Sequence, residues 1–358
     1  MHKSLISSIL FIYNKRRILF LALTLLLVNI KVVYAQDSKH SDFKAVFYNF
    51  ENLFDTEDDT LKWDEQFLPS GDKHWTYFKY KTKLQNLAKV ITAAGGWQDA
   101  AIVGACEIEN AFVLEELTTK SPLKKLNYKF IHKESPDKRG IDVALLYQEE
   151  QFTPIYYNHI QINFPNNSKS KTRDILYVKG LTNNSDTLHI FVNHWPSRWG
   201  GQMKTEAKRI FVAQTLRTQV DSLFKAIDNP NIIIMGDFND TPTDISVTEY
   251  LKAKAPEKNI KNKELYNLLY PLSLTLNGTH PFHGHWAVLD HMIVSSSLLN
   301  KKNSIYATEK SAYPFRASFL LEKDDKYGGE RTNRSYIGFK YHGGYSDHLP
   351  VILDLFFN

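Results

Sequence analysis

The sequence predicts an α+β protein in which β-sheets pack on each other and helices cover their outer faces. Two observations support this class. Short apolar segments recur along most of the chain, and a few stretches between them carry apolar residues at helical spacing. Many strands with few one-sided helices are typical of packed sheets that use helices as an outer cover. The 358 residues are enough to build a sizeable core.

The N-terminal segment is predicted to be a signal peptide and not part of the fold. Lys15, Arg16 and Arg17 precede the apolar run ILFLALTLLLVNI, and small residues follow up to Ala35, the expected cleavage site. This run has thirteen residues, whereas a membrane-spanning helix needs ~20, so a permanent anchor is the weaker alternative. We therefore expect residues 1–35 to be a signal and residues 36–358 to be one domain. Such a protein is exported, and is periplasmic, on the outer surface or secreted.

The apparent basicity of the chain belongs to this signal. Residues 1–35 contain five basic side chains and no acidic one, so their removal takes the formal net charge from +5 to 0. A neutral domain has no global cationic field that would indicate avid, sequence-independent binding to nucleic acid, although it remains compatible with a local basic groove. The single cysteine, Cys106, excludes an intrachain disulfide and is predicted to be buried in its apolar run.

Eight segments have the length and the β-branched or aromatic content of strands. In chain order they are KAVFYNF (44–50), AAIVGACE (100–107), IDVALLY (141–147), ILYVKG (175–180), LHIFVNH (188–194), NIIIMGD (231–237), WAVLDHMIVS (286–295) and LPVILDLFF (349–357). Helices are predicted over residues 203–227, where an apolar stripe including Met203 and Ala207 recurs every three or four residues, and over residues 79–96, which end in two glycines. Residues 55–78 and 311–345 fit neither pattern and are predicted to be long loops.

Polar side chains stand at or near the ends of five of the apolar segments. They are Asn49 and Glu51, Glu107, His194, Asp237 and Asn239, and the pair Asp347 and His348. One Asp after a strand is usually turn chemistry, but this set, presented by rigid strands, is typical of a metal-assisted hydrolase. The single cysteine excludes thiolate clusters for structural zinc. Carboxylate and amide oxygens favour Mg²⁺, with Mn²⁺ or Ca²⁺ as alternatives.

Asp290 adds a carboxylate inside an otherwise apolar segment. A carboxylate in a buried strand needs a partner or an upward shift of its pKa. A nearby imidazolium would meet that need, and the sequence alone does not decide between His348 and His291.

Seven segments together resemble the endonuclease/exonuclease/phosphatase superfamily, the DNase-I-like phosphodiesterases, in its exported bacterial branch. They are YNFENLFD, ACEIEN, RGIDVALLY, VNHWPSR, MGDFND, LDHMIVS and YSDHLPV, in family order between Phe43 and Phe357. The resemblance implies a four-layer α/β/β/α sandwich with the site at one edge of the two packed sheets.

The resemblance also implies a role for each site residue. Glu107 would bind Mg²⁺ with help from Asn49, and Asp347 would lie beside the metal. The implied catalytic residues are Asp237, which orients or deprotonates the attacking water; Asn239, which fixes the phosphate or that water; His348, which contacts the phosphate and pairs with Asp290; and His194, a second catalytic histidine.

Three arginines are candidates for phosphate binding. Arg173 occupies the place of a phosphate-gripping arginine in the resembled family, within a looser motif. Arg139 either reaches the phosphate or pairs with an acid, and Arg198 follows the histidine in VNHWPSR. Arg331, Arg334 and Tyr341, in the second predicted loop, are candidates for a substrate rim, but a solvated loop is the preferred interpretation.

These features favour an exported, Mg²⁺-dependent phosphodiesterase, an endonuclease that hydrolyses DNA or RNA. The alternative within the same chemistry acts on a phospholipid, an inositol phosphate or another small phosphoester, and would use the aromatic residues of segment 63–78 at a membrane. An inert binding module is a third possibility, and a calcineurin-type phosphatase is excluded because no GNH motif follows. No stable protein partner is inferred, and endo or exo cleavage and one or two metals remain open.

Overall fold

The predicted strand segments form two large β-sheets in a computed structural model of the protein. The structure describes residues 41–165 and 170–358, which belong to one compact unit, Ser41–Asn358. The predicted signal, residues 1–35, lies outside the described residues. Within the described parts of the chain, no helix has the length and apolar character needed to cross a membrane.

Twenty strands occur in the described residues, and most of the long ones match the predicted segments. The first ten are β1 (Phe43–Leu53), β2 (Ile102–Ile108), β3 (Lys129–His132), β4 (Asp142–Tyr147), β5 (Phe152–Ile160), β6 (Ile175–Thr182), β7 (Thr187–His194), β8 (Asn231–Asp237), β9 (Ala253–Lys254) and β10 (Leu265–Asn267). The others are β11 (His280–Phe282), β12 (His285–Ala287), β13 (Asp290–Ser295), β14 (Ile305–Tyr306), β15 (Ala312–Pro314), β16 (Leu321–Lys323), β17 (Glu330–Thr332), β18 (Tyr336–Ile337), β19 (Lys340–Tyr341) and β20 (Val351–Phe357).

Each large sheet has seven strands. The first sheet has the order β14-β20-β1-β2-β4-β3, with β15 also paired to β20, and the second has the order β5-β6-β7-β8-β13-β10-β9. Strands β11 and β12, β16 and β17, and β18 and β19 form three small two-stranded sheets. Within the described residues, four α-helices accompany them: α1 (Tyr77–Gly95), α2 (Ala111–Thr119), α3 (Gln202–Ala226) and α4 (Tyr270–Ser273).

Alternation along the strands divides the buried side chains into three apolar layers. Phe47 of β1 and Met235 of β8 point into the layer between the two sheets. Their neighbours point outward, so that Val46 packs in a layer with helices α1 and α2, while Ile234 packs in a layer with α3. This arrangement is the predicted four-layer α/β/β/α sandwich, and it confirms the expected fold class.

The strand directions bring the chemical residues to one edge of the sandwich. Strand β1 runs parallel to β2 and β7 runs parallel to β8, whereas β20 and β13 run antiparallel to their neighbours. The C-terminal ends of β1, β2, β7 and β8 therefore lie at the same edge as the N-terminal ends of β13 and β20. Polar residues that follow the first four strands meet those that open the last two.

Several sequence predictions need correction. The segment 286–295 is not one strand, because it divides into β12 and β13. The segment 311–345 is not a continuous loop, because it contains β15 to β19 and a short 3-10 helix, Ser318–Leu320. Met203 and Ala207 are exposed and do not belong to the buried stripe of α3.

Candidate active site

Asp237 is the last residue of β8 and lies at the centre of the candidate site. The sheet register places it opposite His194 on the parallel strand β7 and opposite Asp290 on the antiparallel strand β13. The Asp237 Oδ2 atom is 3.7 Å from His194 Nε2 and 3.8 Å from His348 Nε2. One buried carboxylate oxygen is thus flanked by two imidazole nitrogens.

Gly236 allows the strands that carry this group to approach closely. A Cβ atom at position 236 would lie 2.4 Å from the backbone oxygen of Asn193 and 2.6 Å from its Cβ. Any larger side chain would therefore push β7 away from β8. The glycine in the GDFND segment fixes the distance between His194 and Asp237.

His348 is held by the Asp290 carboxylate. The two side chains are both buried, and His348 Nδ1 is 2.7 Å from Asp290 Oδ2. His291 is not the partner of Asp290, because its two ring nitrogens contact Asn267 Nδ2 and the backbone oxygen of Asp240, each at 2.8 Å. The structure therefore decides the alternative that the sequence left open, in favour of His348.

Burial and charge give the two histidines opposite properties. Burial lowers the pKa of His348, but the carboxylates of Asp290 and Asp237 outweigh burial and raise it well above its usual value. Burial lowers the pKa of His194 well below its usual value, and the nearby cations, Arg173 first, lower it further. His348 is consequently an imidazolium at neutral pH, whereas His194 is a neutral ring.

The pKa of Asp237 is set by burial and by its charged neighbours. Burial raises the pKa of its carboxyl group to about 7, and Asp290 acts in the same direction. His348 and the backbone N–H of Asn239, which donates to Asp237 Oδ1 at 2.9 Å, oppose that rise. A carboxylate with a pKa close to neutrality is suited to accept a proton from water.

Glu107 reaches the site from the other sheet through an irregular strand end. The pairing of β1 with β2 shifts between Asn49 and Leu53, and Glu107 has a left-handed backbone with φ of 61°. The Glu107 Oε1 atom lies 3.9 Å from His194 Nε2, and Oε2 accepts the backbone N–H of Asn52 at 2.9 Å. Strained backbone of this kind is common where a strand must re-aim a functional side chain.

Two amides complete the group around Asp237. Asn49 Nδ2 donates to Asp237 Oδ2 at 3.2 Å, which connects the two sheets directly. Asn239 has φ of 52° and donates from Nδ2 to the backbone oxygen of Trp195 at 3.2 Å. Asn49 therefore reaches the central carboxylate from the other sheet, whereas Asn239 is fixed beside it by bonds to Asp237 and Trp195.

Asp347 also lies at this edge, and its carboxylate is paired with an arginine. Arg334 Nη2 is 2.8 Å from Asp347 Oδ2, and the same guanidinium donates from Nε to Glu51 Oε1 at 2.9 Å. Lys83 Nζ lies 3.7 Å from Glu51 Oε2 and donates to Ser335 Oγ at 2.8 Å. The prediction of a solvated Arg334 is therefore wrong, because it bridges two carboxylates of the site.

His280 is a site residue that the sequence interpretation missed. Its ring lies 4.5 Å from that of His348, and its Nε2 atom is 3.9 Å from Asp347 Oδ2. Burial and the charge of His348 lower the pKa of His280 to about 4. No apolar strand segment precedes His280, so the strand-end pattern could not identify it. His283 and His285, which are closer in sequence to the apolar segment 286–295, are exposed.

The three candidate arginines differ in their contacts. Arg173 is buried and donates to Asp137 Oδ2 at 3.1 Å and to the backbone oxygen of Trp195 at 2.6 Å. Arg198 binds Asp240 at 3.2 Å and Asp244 at 2.7 Å, so its contacts hold the loop that follows Asp237. Arg139 is exposed and makes a side-chain hydrogen bond of 2.9 Å to Asn52, which leaves it the most accessible of the three for a phosphate.

The donor set fits a divalent cation. Among the described residues, the ligand atoms of Asp237, Asp290 and His348 lie within 4.8 Å of one another, and so do those of His280, Asp347 and His348. His348 is already engaged by Asp290, so the oxygen atoms are the better ligands. The carboxylates of Glu107 and Asp347 and the amide oxygen of Asn49 suit a hard ion such as Mg²⁺.

The fold and this collection of carboxylates, amides and imidazoles define a metal-assisted hydrolase. Residues 44–356 match the model of the Endonuclease/Exonuclease/phosphatase family. The chain therefore belongs to this family, whose members are phosphoester hydrolases that generally depend on a divalent metal. No curated protein matches the sequence closely enough to count as a relative.

Solved structures show the same fold at low sequence identity. The mannosyl-6-phosphatase Bt3783 of Bacteroides thetaiotaomicron is 16% identical with a TM-score of 0.54, over 88% of this chain and 100% of that chain. The human Nocturnin catalytic domain, with bound sulfate, is 16% identical with a TM-score of 0.53, over 88% and 94%. A humanized TDP2 of D. rerio is 13% identical with a TM-score of 0.51, over 87% and 98%. These likenesses show the fold.

Proposed function

We propose that the protein is an exported, Mg²⁺-dependent phosphodiesterase that acts as an endonuclease on DNA or RNA. The observation that carries the proposal is the position of Asp237 Oδ2 between His194 Nε2 at 3.7 Å and His348 Nε2 at 3.8 Å. A buried carboxylate that can accept a proton, close to a cationic imidazole that can bind a phosphoryl oxygen, supplies two of the groups that water attack on phosphorus uses.

The residues divide the work as follows. Asp237 accepts the proton of the attacking water, and Asn239 orients that water or the phosphate. The imidazolium of His348, held by Asp290, binds a phosphoryl oxygen and stabilises the negative charge that develops there. The neutral ring of His194 offers Nε2 to the same group without adding charge. Arg139 is placed to neutralise a further phosphate oxygen.

The implied metal would be held by Glu107 and Asp347 with the amide oxygen of Asn49. When bound, a divalent cation supplies Lewis-acid polarisation of the phosphoryl group. Mn²⁺ or Ca²⁺ are the alternatives that the same oxygen donors would accept.

Nucleic acid is favoured over lipid as the substrate by two observations. TDP2 of D. rerio shares the fold, and one of its structures was solved with a single-strand DNA product. The aromatic segment that a lipid-binding version would need is interrupted, because Trp75 is buried and donates from Nε1 to the backbone oxygen of Phe54 at 3.0 Å. Only Trp63, Tyr77 and Phe78 of that segment are largely exposed.

The proposal is tested by incubating the protein with closed circular plasmid DNA and with RNA, with Mg²⁺ or with a chelator. We expect metal-dependent cleavage in the wild type and a loss of about 10²–10⁴-fold in rate for His348→Ala. Cleavage of the circular substrate distinguishes an endonuclease from an enzyme that needs a free end. Release of phosphate from mannose 6-phosphate or an inositol phosphate, with both polymers intact, would replace the nuclease with a small-molecule phosphatase.

Export has its own measurement. Protein recovered from the envelope or medium of its host should begin at Gln36, which N-terminal sequencing would detect. An intact N-terminus on a cytoplasmic protein would contradict export and leave the chemistry untouched.

A further inference from the structure

A concave surface lies next to residues that contact the catalytic group. This cationic cleft has a volume of about 460 Å³ and is lined by Trp63, Lys138, Arg139, Lys171, Trp199 and Lys208, among others. The residues come from four separate parts of the chain, including the loop that follows His194 and the first turns of α3. None of the groups assigned above to proton transfer lines it.

Two hydrogen-bond links join the cleft to the catalytic residues. Arg173, in the wall of the cleft, donates to the same Trp195 backbone oxygen that accepts from Asn239. Arg139, also in the wall, donates to Asn52, whose backbone N–H binds Glu107. The wall of the cleft is therefore hydrogen-bonded to residues that in turn contact Asn239 and Glu107.

The charge of the lining favours a polyanion. Its cations are Lys138, Arg139, Lys171, Arg173 and Lys208, and its acidic residue, Asp137, is the ion-pair partner of Arg173. A substrate with one phosphate would place that group among the catalytic residues and leave the three lysines of the cleft without a phosphate partner. A substrate with further phosphates next to the scissile one would use both surfaces.

The aromatic residues of the cleft add a second recognition element. Trp199 is 89% exposed and Trp63 is 63% exposed, and Lys138 Nζ lies 4.9 Å from the centre of the Trp63 ring. Exposed indole faces beside cations are suited to stack on bases while the cations bind the backbone. Only unpaired bases present their faces for such stacking, so a double helix would not use these side chains.

We propose that the cationic cleft binds the single-stranded nucleic-acid segment next to the scissile phosphate, with bases stacked on Trp199 and Trp63 and phosphates bound by Lys138, Lys171 and Lys208. This inference rests on the proposed function and narrows its substrate to single strands. It assigns a binding role to residues outside the catalytic group.

The test compares Trp199→Ala and Trp63→Ala with Trp97→Ala, a control tryptophan that is 98% exposed and does not line the cleft. Binding of a fluorescent single-stranded oligonucleotide is measured by anisotropy in chelator, where turnover is absent. Each cleft variant should weaken binding about ten-fold, and the control should not change it. Lys171→Ala should reduce the slope of log K against log salt by about 0.7.

Kinetics then separate the cleft from the catalytic group. With Mg²⁺ and the small diester bis(p-nitrophenyl) phosphate, the tryptophan variants should match the wild type, while their KM for the oligonucleotide rises about ten-fold. Equal losses on both substrates, or unchanged binding in both cleft variants, would overturn the inference. Tryptophan-dependent binding of mannose 6-phosphate in place of the oligonucleotide would do the same.

The two proposals fail separately. If the wild type binds the oligonucleotide through these tryptophans but cleaves no polymer, the proposed role of the cleft stands and the proposed nuclease function fails. If the wild type cleaves polymers and the tryptophan variants have an unchanged KM, the proposed nuclease function stands and the proposed role of the cleft fails.

Discussion

Asp237 shows how burial and neighbouring charge set the chemistry of a single residue. Its pKa of about 7 arises from burial first and from Asp290 second, and the imidazolium of His348 limits the rise. An unfolded aspartate has a pKa of about 3.9, so the folded protein binds this proton more tightly than the unfolded chain does. The stability that Asp237 contributes is present below about pH 4 and is lost as the pH rises towards 7.

The first prediction follows from that sign. Without metal at pH 8, Asp237→Asn should raise the free energy of unfolding by as much as about 4 kcal/mol, because it removes a buried charge. The gain should disappear near pH 4, and the rate of phosphodiester hydrolysis should fall about 10²–10⁴-fold at any pH. Urea unfolding in chelator at the two pH values, with activity assays, checks this. The prediction would be contradicted if the free energy of unfolding of the variant, relative to that of the wild type, were lower at pH 8 than at pH 4.

At this scale the sequence predicted the residues that end or open strands and missed those brought in by tertiary contact. Glu107, Asp237 and His348 carry a strand-end signal in the chain itself. The bond between Arg334 and Glu51 joins residues 283 positions apart, and no local pattern marks it. His280 was missed for the same reason, because its contact with His348 joins two elements that are distant in sequence.

At the scale of secondary-structure elements, strand ends and a glycine determine the position of the site residues. Strands β7 and β8 can come close only because residue 236 has no Cβ, and β1 and β2 turn their last residues through backbone irregularities at Asn52 and Glu107. The geometry of the catalytic group is therefore a property of strand packing as well as of its side chains.

The second prediction concerns that packing. Gly236→Ala should destabilise the protein by roughly 1–3 kcal/mol through overpacking and should reduce activity, because His194 moves away from Asp237. Gly328→Ala is the control: it has φ of 80°, with nothing within 4 Å of the added Cβ. It should cost about 1 kcal/mol and leave activity intact. Thermal unfolding and kcat/KM measure both variants, and equal effects in the two would show that backbone strain, not the clash, is responsible.

Elements were predicted where the apolar pattern was strong. Strand β5, with the sequence FTPIYYNHI, was missed because exposed side chains lie on both of its faces and a proline interrupts it. Helix α2 was missed because its nine residues follow directly after a strand motif and give too short a period to recognise. The division of segment 286–295 could not be predicted because β12 pairs with β11 rather than with the second sheet.

The whole molecule places the catalytic group across both sheets. Asn49 and Glu107 come from the first sheet and His194, Asp237 and Asp290 from the second. The bond between Asn49 and Asp237 is one direct link between them at this edge. Any ion held by residues of both sheets would act as a second link.

The third prediction is that Mg²⁺ stabilises the fold. At a concentration of about 100 times Kd it should raise the free energy of unfolding by about 2.7 kcal/mol, because it binds the folded state and not the unfolded chain. Glu107→Gln, which keeps an acceptor for the Asn52 N–H but removes the charge, should abolish most of this gain. Differential scanning fluorimetry with and without Mg²⁺ checks both proteins, and an equal shift in the variant would place the ion elsewhere.

The layered architecture was predictable, but the order of the strands was not. Alternating and one-sided apolar patterns specify sheets with helical cover. Which strand pairs with which depends on contacts between residues far apart in sequence, such as β20 with β1. The resemblance to a known family supplied the four-layer order, and the structure confirms it.

Cys106, the single cysteine of the chain, is fully buried and stands beside Glu107 in register with Asn49 and Val143. An alkylating reagent can reach its sulfur only when the centre of the first sheet opens. The rate of labelling in the native protein therefore reports the frequency of that opening, one residue from the Glu107 carboxylate. Cys106 is therefore a built-in probe of local opening in the first sheet next to the catalytic group.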